Sequence, residues 1–436
     1  MRLGRKASPG VDGPEPSAIN PEGGTGMFSK ARLLAAADWI AGGILLSLPW
    51  STSATSILIL AWLLVVVPSL DQRQVKVHLI QPAAFLPLAV WLLVLLGMFW
   101  SEATWSDKLE GLRSFHKVLL IPLLMIHFSR SENGPNVLAA FLTSCLLLLI
   151  YSWASLVWPE IAFEPGRWGR PPGVPVKDSI SQSMVFAISA CALMHFAITF
   201  REQRKSVYAL LCITSIALLL ANLAYVGTSR TAVVVLLILS FVIGFQRFRW
   251  RGAVTLMAGM LLFGAIAWST SPYFRERITG LVEGTLNYEP TQETSEAERI
   301  EYWRKSLRAI REAPVIGHGT GSIRDVFEKS QVGTKGAAGR IMGNPHNQAF
   351  AVGIQIGIVG IAVLLLMWVS HLLLFRGTGL VAWVGTLLVV QNIISSMFNS
   401  HISDFTAGWV YVFAVGILGG MALRQRSDRS ASPGPI

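Results

Sequence analysis

SPYFRERITGLVEGTLNYEPTQETSEAERIEYWRKSLRAIREAPVIGHGTGSIRDVFEKSQVGTKGAAGRIMGNPHN, residues Ser271–Asn347, is a long polar segment in a chain that is otherwise almost continuously apolar. It carries 11 of the 36 lysines and arginines and ends at Gly343-Asn344-Pro345-His346-Asn347, where the next apolar run begins. A helix needs about 20 mostly apolar residues to cross the hydrocarbon core. Twelve such runs flank the segment, at roughly 33–50, 54–70, 82–100, 115–129, 136–158, 179–200, 206–225, 230–246, 252–270, 346–374, 378–398 and 404–423. Only helices or closed barrels satisfy backbone groups in lipid, and uninterrupted Leu, Val, Ile and Ala exclude the alternation of a barrel. The fold class is therefore all-α: a polytopic helical membrane protein of about 12 transmembrane helices with one large loop domain of short helices. The run at 115–129 is short, and 346–374 is long enough to hide a break.

Charge sets the orientation. With the N-terminus inside, the short inner segments carry 18 lysines and arginines against 7 in the short outer ones, which places both termini in the cytoplasm and the long segment outside. The net charge of +11 is then mostly topology and gives no reason to expect nucleic-acid binding. Residues 1–30 read as a disordered cytoplasmic tail, 31–270 as helices one to nine, 271–345 as the outer loop domain, 346–423 as helices ten to twelve and 424–436 as a second cytoplasmic tail. Lys30 and Arg32 precede an apolar run with no small-residue cleavage site after it, so an uncleaved first helix is expected. Cys145, Cys191 and Cys212 all fall inside apolar runs and offer neither a disulfide framework nor a zinc motif.

Several outer segments carry candidate chemistry. Ser101–Lys117 reads as an amphipathic interfacial segment or a headgroup contact. The proline-rich loop Trp158–Asp178 holds Arg167, Arg170 and Lys177, which either cover an anion or are simply solvated. The turn Tyr225–Thr231 is so short that Arg230 sits at the outer boundary, as a snorkelling side chain or as an anion ligand beside a helix N-terminus capped by Ser or Thr. In the long segment, Ser295-Glu296-Ala297-Glu298 has the form of a capping box. The helix it opens should run to about Glu312, with Ile300, Trp303, Leu307 and Ile310 as the stripe that packs on the membrane domain and Arg299 facing inward more than Arg308 or Arg311. Gly317–Ser322 is a glycine-rich turn without the lysine of a phosphate-binding loop, and Gly333–Gly343 reads as a mobile lid. His346 then opens the tenth run, where Gly353, Gly357 and Gly360 offer a small packing face, while His401 and Asp404 sit between the last two runs.

Two arginines suit a diphosphate, because each guanidinium binds phosphoryl oxygens bidentately. A neutral histidine suits a general base for a sugar hydroxyl. No carboxylate cluster has metal-ligand spacing, so arginines without a metal would stabilise the leaving diphosphate. These parts compose into glycosyl transfer from a lipid-linked diphosphate.

At these residues the chain resembles the O-antigen ligase branch of the bacterial O-antigen ligase/polymerase superfamily. The resemblance rests on Gly227-Thr228-Ser229-Arg230-Thr231, on Arg299-Ile300-Glu301-Tyr302-Trp303 through Pro314-Val315-Ile316-Gly317-His318-Gly319, and on Pro345-His346-Asn347 followed by Gly357-Ile358-Val359-Gly360. It implies a GT-C-like architecture in a Gram-negative inner membrane with a periplasmic active site. It further implies Arg230 and Arg299 as ligands of the diphosphate of undecaprenyl-linked O-antigen, and His346 as the catalytic base toward lipid A–core. Asp404 is a weaker carry-over; His401, Lys177, Arg167 and Arg170 are supporting candidates. An inverting, metal-independent transfer is implied, with membrane lipid as surroundings and no cofactor. The same motifs suit an O-antigen polymerase or a protein O-oligosaccharyltransferase. A transporter or flippase of lipid-linked glycan is the reading from another class, though it would place its polar groups near the bilayer midplane.

Overall fold

The computed structural model describes residues 30–162, 171–227, 229–289, 291, 294–330 and 336–431. Among them the chain is all helical. The helices are α1 (Lys30–Ser47), α2 (Thr52–Val66), α3 (Gln72–Leu79), α4 (Pro82–Leu96), α5 (Trp105–Phe115), α6 (Leu120–Phe128), α7 (Gly134–Val157), α8 (Ser179–Glu202), α9 (Ser206–Tyr225), α10 (Arg230–Thr270), α11 (Pro272–Leu286), α12 (Ser295–Glu312), α13 (Ile323–Lys329), α14 (Gln348–Leu374), α15 (Leu380–Ser395) and α16 (Phe405–Ala431). Seven of these are long and apolar enough to cross a membrane, and up to eight if α3 and α4, bent by 86°, form one broken span. That is fewer than the twelve runs counted in the sequence, partly because some of the short runs stay below spanning length as single helices.

The α10 span hides a reversal. Its backbone leaves helical geometry at Phe248 and Arg249. A straight helix of 41 residues would be about 60 Å long. Instead, both ends lie beside the end of α9: Arg230 follows it after a short turn, while the Tyr225 hydroxyl meets the Thr270 hydroxyl at 2.6 Å and Ser271 donates to the Ala224 carbonyl at 3.1 Å. Gly244 and Gly252 meet backbone to backbone across the bend. The two limbs correspond to the apolar runs at 230–246 and 252–270.

At the centre lies α16, almost entirely buried. Gly416 and Gly420 let it approach Leu124 and Phe128 of α6, as small residues do between membrane helices. Buried polar groups in the bundle pair with one another: Asn222 with Ser152 (2.8 Å) and Gln182 (3.2 Å), His371 with Tyr411 (2.6 Å), and Trp368 with Asn392 (3.2 Å).

The polar segment is welded to this bundle at a break in α14. Gly357 has φ +64°, and the helix ladder lapses there. The backbone groups released on either side bond to the loop after α12: His318 and Gly319 donate to Ile354 and Gln355 (2.8 and 2.9 Å), and Ile358 and Val359 donate to Pro314 and Val315 (2.8 and 3.3 Å). The glycine-rich turn supplies the fit, with Gly319 against Ser101 and Gly321 against the Asp107 carbonyl. It is a clasp between α14 and the α4–α5 connection rather than a phosphate cradle.

Two local expectations need correction. Thr294, not Ser295, caps α12, accepting from the Ala297 amide at 3.3 Å; Ser295 is then the first helical residue and its hydroxyl turns to Arg230 and Glu296, so no capping box closes. The buried face of α12 is centred on Tyr302, Ser306 and Ala309, about one position from the expected stripe. Small Ser306 and Ala309 permit the closer approach, leaving Leu307 exposed while Trp303 and Ile310 still reach Phe350 and Gly353.

A Cβ at position 357 would stand 2.3 Å from the Val315 carbonyl oxygen in a backbone conformation that L residues avoid. Gly357→Ala should therefore destabilise the protein by roughly 1–3 kcal/mol. The check is thermal unfolding in detergent, with Gly259→Ala, whose Cβ meets nothing within 4 Å, showing no loss.

Candidate functional site

The site is assembled from the start of α10, the inner faces of α11 and α12, the turn before α14 and the loop between α15 and α16. Ser229 takes the cap position of α10 in extended conformation without a side-chain cap bond, which sets Arg230 at the helix start. The Arg230 guanidinium is ion-paired with Glu296 and donates to the Ser295 hydroxyl at 3.1 Å. Its other edge lies against Gly280 of α11. One turn before Gly280, Arg277 shares that face; it donates to the Tyr273 hydroxyl at 3.3 Å and stacks on the same ring. Both Arg277 and Arg299 are near enough for their charges to act on Arg230. Among the described residues Arg299 has no hydrogen bond or ion pair, although burial disfavours its charge. A half-buried guanidinium without a counter-ion, beside two others, is a strong attractor for an anion.

His346 stands next to this cluster. Its backbone is left-handed, with φ +52°, and its amide donates to the Asn344 side-chain oxygen at 2.9 Å. The ring stacks on Tyr302 at 6.0 Å, and Nδ1 lies 2.9 Å from Asn399 Oδ1. The Asn399 amino group in turn donates to Asp404 at 2.7 Å. Burial pulls the His346 pKa down, the Asn399 bond opposes this, the Arg299 charge lowers it again and the Asp404 charge raises it; the net direction is downward. That direction favours the neutral imidazole.

Arg299 thus lies within charge range of both Arg230 and His346, far apart in sequence, and Asp404 is linked to His346 through Asn399. The other supporting candidates stand elsewhere. Lys177 donates to the Leu48 carbonyl (2.6 Å) and Thr406 (2.9 Å), and burial brings its pKa down to about 8. It lines a cavity of about 550 Å³ with Asp178, Asn399, His401, Asp404 and Phe405. His401 is buried, 3.3 Å from Asp404. A second, more polar cavity of about 420 Å³ touches Asp404 from the other side, lined also by Asp107, Glu110, Arg324, Asn344 and Pro345. Arg167 and Arg170 lie outside the described residues, as does part of the expected lid. The described remainder of that lid is anchored: Gly336 packs on Thr291, and Arg340 is ion-paired with Glu298. Sequence reading missed Arg277 and Asn399. The α11 stripe Arg277–Gly280–Gly284 was a faint signal for the first; only the fold reveals the second.

These features define a helical membrane protein with a cationic, histidine-bearing site at the mouth of its bundle. Residues 215–365, about a third of the chain, match the family described as O-antigen ligase. The matched span contains Arg230, Arg277, Arg299 and His346, but neither Asn399 nor Asp404. Over 128 residues, 28% of this chain, the sequence is 31% identical to an uncharacterized protein of Haemophilus influenzae; the chain spans about a third of the length of that curated relative (32%).

Arg299→Ala should weaken binding of inorganic pyrophosphate by about tenfold or more, since one charge-assisted, bidentate contact is worth at least 1.4 kcal/mol. Arg277→Ala should weaken it less, because Tyr273 already engages that guanidinium. Calorimetric titration of the purified protein measures both.

Proposed function

We propose that the protein is an inverting, metal-independent glycosyltransferase. On this reading it joins O-antigen from undecaprenyl diphosphate to lipid A–core at the periplasmic face of a Gram-negative inner membrane. The observation that carries the reading is His346 set beside Arg299, a guanidinium with no counter-ion among the described residues. The match of residues 215–365 to the O-antigen ligase family supports lipid-linked glycans as the substrate class.

Arg299 and Arg230, with Arg277 behind them, hold the diphosphate of the donor. His346 takes the proton from an acceptor hydroxyl as its oxygen attacks the anomeric carbon from the face opposite the diphosphate. The new glycosidic bond forms as the bond to the diphosphate oxygen breaks. The electron pair leaves on undecaprenyl diphosphate, whose added charge the guanidiniums meet. Inversion follows from that single displacement. The arginines supply the positive charge a metal would otherwise bring.

Purified protein given lipid-linked O-antigen, lipid A–core and EDTA should form ligated product, and His346→Ala should lower the rate roughly 10²–10⁴-fold. A base must be deprotonated to act, so the rate should rise with pH through the His346 pKa, with its midpoint below the ordinary value of about 6.5. Lengthened lipid-linked glycan in place of ligated product would identify a polymerase. Donor binding without any transfer, at any pH, would instead favour a carrier of the lipid-linked glycan.

A further inference from the structure

We infer that Asn399 is the positioning residue for His346, fixing the imidazole as the Nδ1–H tautomer with the Nε2 lone pair free to accept a proton. The inference rests on the base role proposed above. It follows from donor and acceptor chemistry along one short chain of contacts. An ionised carboxylate only accepts, so the group that Asn399 turns to Asp404, at 2.7 Å, is its amino group. The amide oxygen is thereby directed at His346 Nδ1, at 2.9 Å. An amide oxygen also only accepts, so Nδ1 must carry the hydrogen and Nε2 the lone pair.

Both ends of this chain are held. Lys117, buried, donates to three successive carbonyls, Ile402 (3.4 Å), Ser403 (2.6 Å) and Asp404 (3.0 Å), which ties down the loop bearing Asp404 and sets a positive charge beside it. Ser400 shares the Asn344 side-chain oxygen with the His346 amide, at 2.7 Å. Gln348 accepts from the Ile402 amide at 3.0 Å, and its own amide donates to Ser396 at 2.8 Å. The loop 396–404 is thus a cradle for residues 344–348, which accounts for a histidine held in left-handed backbone conformation.

The amide has a second consequence. A carboxylate placed directly on Nδ1 would draw the imidazole toward its charged form. Asn399 passes on the orientation that Asp404 supplies while keeping that charge one residue away. The charged and titratable groups around the ring are then Arg299 and Tyr302 from α12 and Asp404 beyond Asn399, with His401 and Lys117 flanking Asp404.

The test uses full-length protein in detergent, with pH–rate profiles and nitrogen NMR of selectively labelled histidine. Asn399→Ala should lower kcat on the order of 10²-fold with little change in either KM, as expected of a misplaced base, and should leave His346 a mixture of tautomers. The exchange variant Asn399→Asp with Asp404→Asn preserves shape and polar groups, so it guards against loss of fold. It should keep the Nδ1–H tautomer and move the acid limb of the profile upward by about one pH unit or more. A merely structural amide would not shift that limb. An Nε2–H tautomer in the wild type, an unaltered kcat in Asn399→Ala, or an unshifted limb in the exchange variant would overturn the inference. The NMR tautomer is read without turnover, so it stands apart from the base role, which full activity in His346→Ala would refute.

Discussion

The break in α14 at Gly357 is the constraint from which the site follows. A helix interrupted at this depth releases amides and carbonyls that neither lipid nor a dry interior can satisfy. The loop Pro314–Gly319 takes them up, four hydrogen bonds in all. A polar domain attached only by its two ends would drift relative to the bundle. Here its backbone is stitched to a membrane helix, so α12, immediately before that loop, is set against the first turns of α14. Arg299 and Tyr302 project from one side of this junction and His346 from the other. Their relation is a property of backbone pairing rather than of side-chain reach.

How much of this was legible in the sequence depended on the range of the interaction concerned. The helical class read well, though only seven or eight of the described helices reach spanning length against the twelve apolar runs counted. Two hidden breaks were visible: α10 turns at the basic segment expected inside, and the long run at 346–374 breaks at one of its glycines. The end of α12 at Glu312 was legible because Pro314 follows it. Its start and its buried face were not. Thr294 and Ser295 are equally good caps on paper, and Ser295 was diverted by Arg230, which lies 65 residues away. The apolar stripe misled by one position because close approach to α14 selected small residues over large ones. Arg230, Arg299 and His346 stood out in the sequence by residue type and by resemblance. Asn399 was invisible, since an asparagine gains meaning only from a carboxylate on one side and an imidazole on the other.

The arginines are not equivalent, and their surroundings divide the labour among them. Arg230 is neutralised by Glu296 and oriented by Ser295, so it is rigid but already partnered. Arg277 is flattened onto Tyr273. Among the described residues, Arg299 alone of the three has neither a hydrogen bond nor an ion pair, and a bound anion would offset the cost of that state. An incoming diphosphate would therefore engage Arg299 first and compete with Glu296 for Arg230 second. The same unpaired charge acts on His346, where it disfavours imidazolium. On the proposed reading, a diphosphate that neutralised Arg299 would remove that influence and make the imidazole a better proton acceptor. On that reading, substrate binding and base strength would be joined through one guanidinium. Asn399 between His346 and Asp404 then matters for what it leaves out, because a full carboxylate there would have strengthened the base before any donor was present.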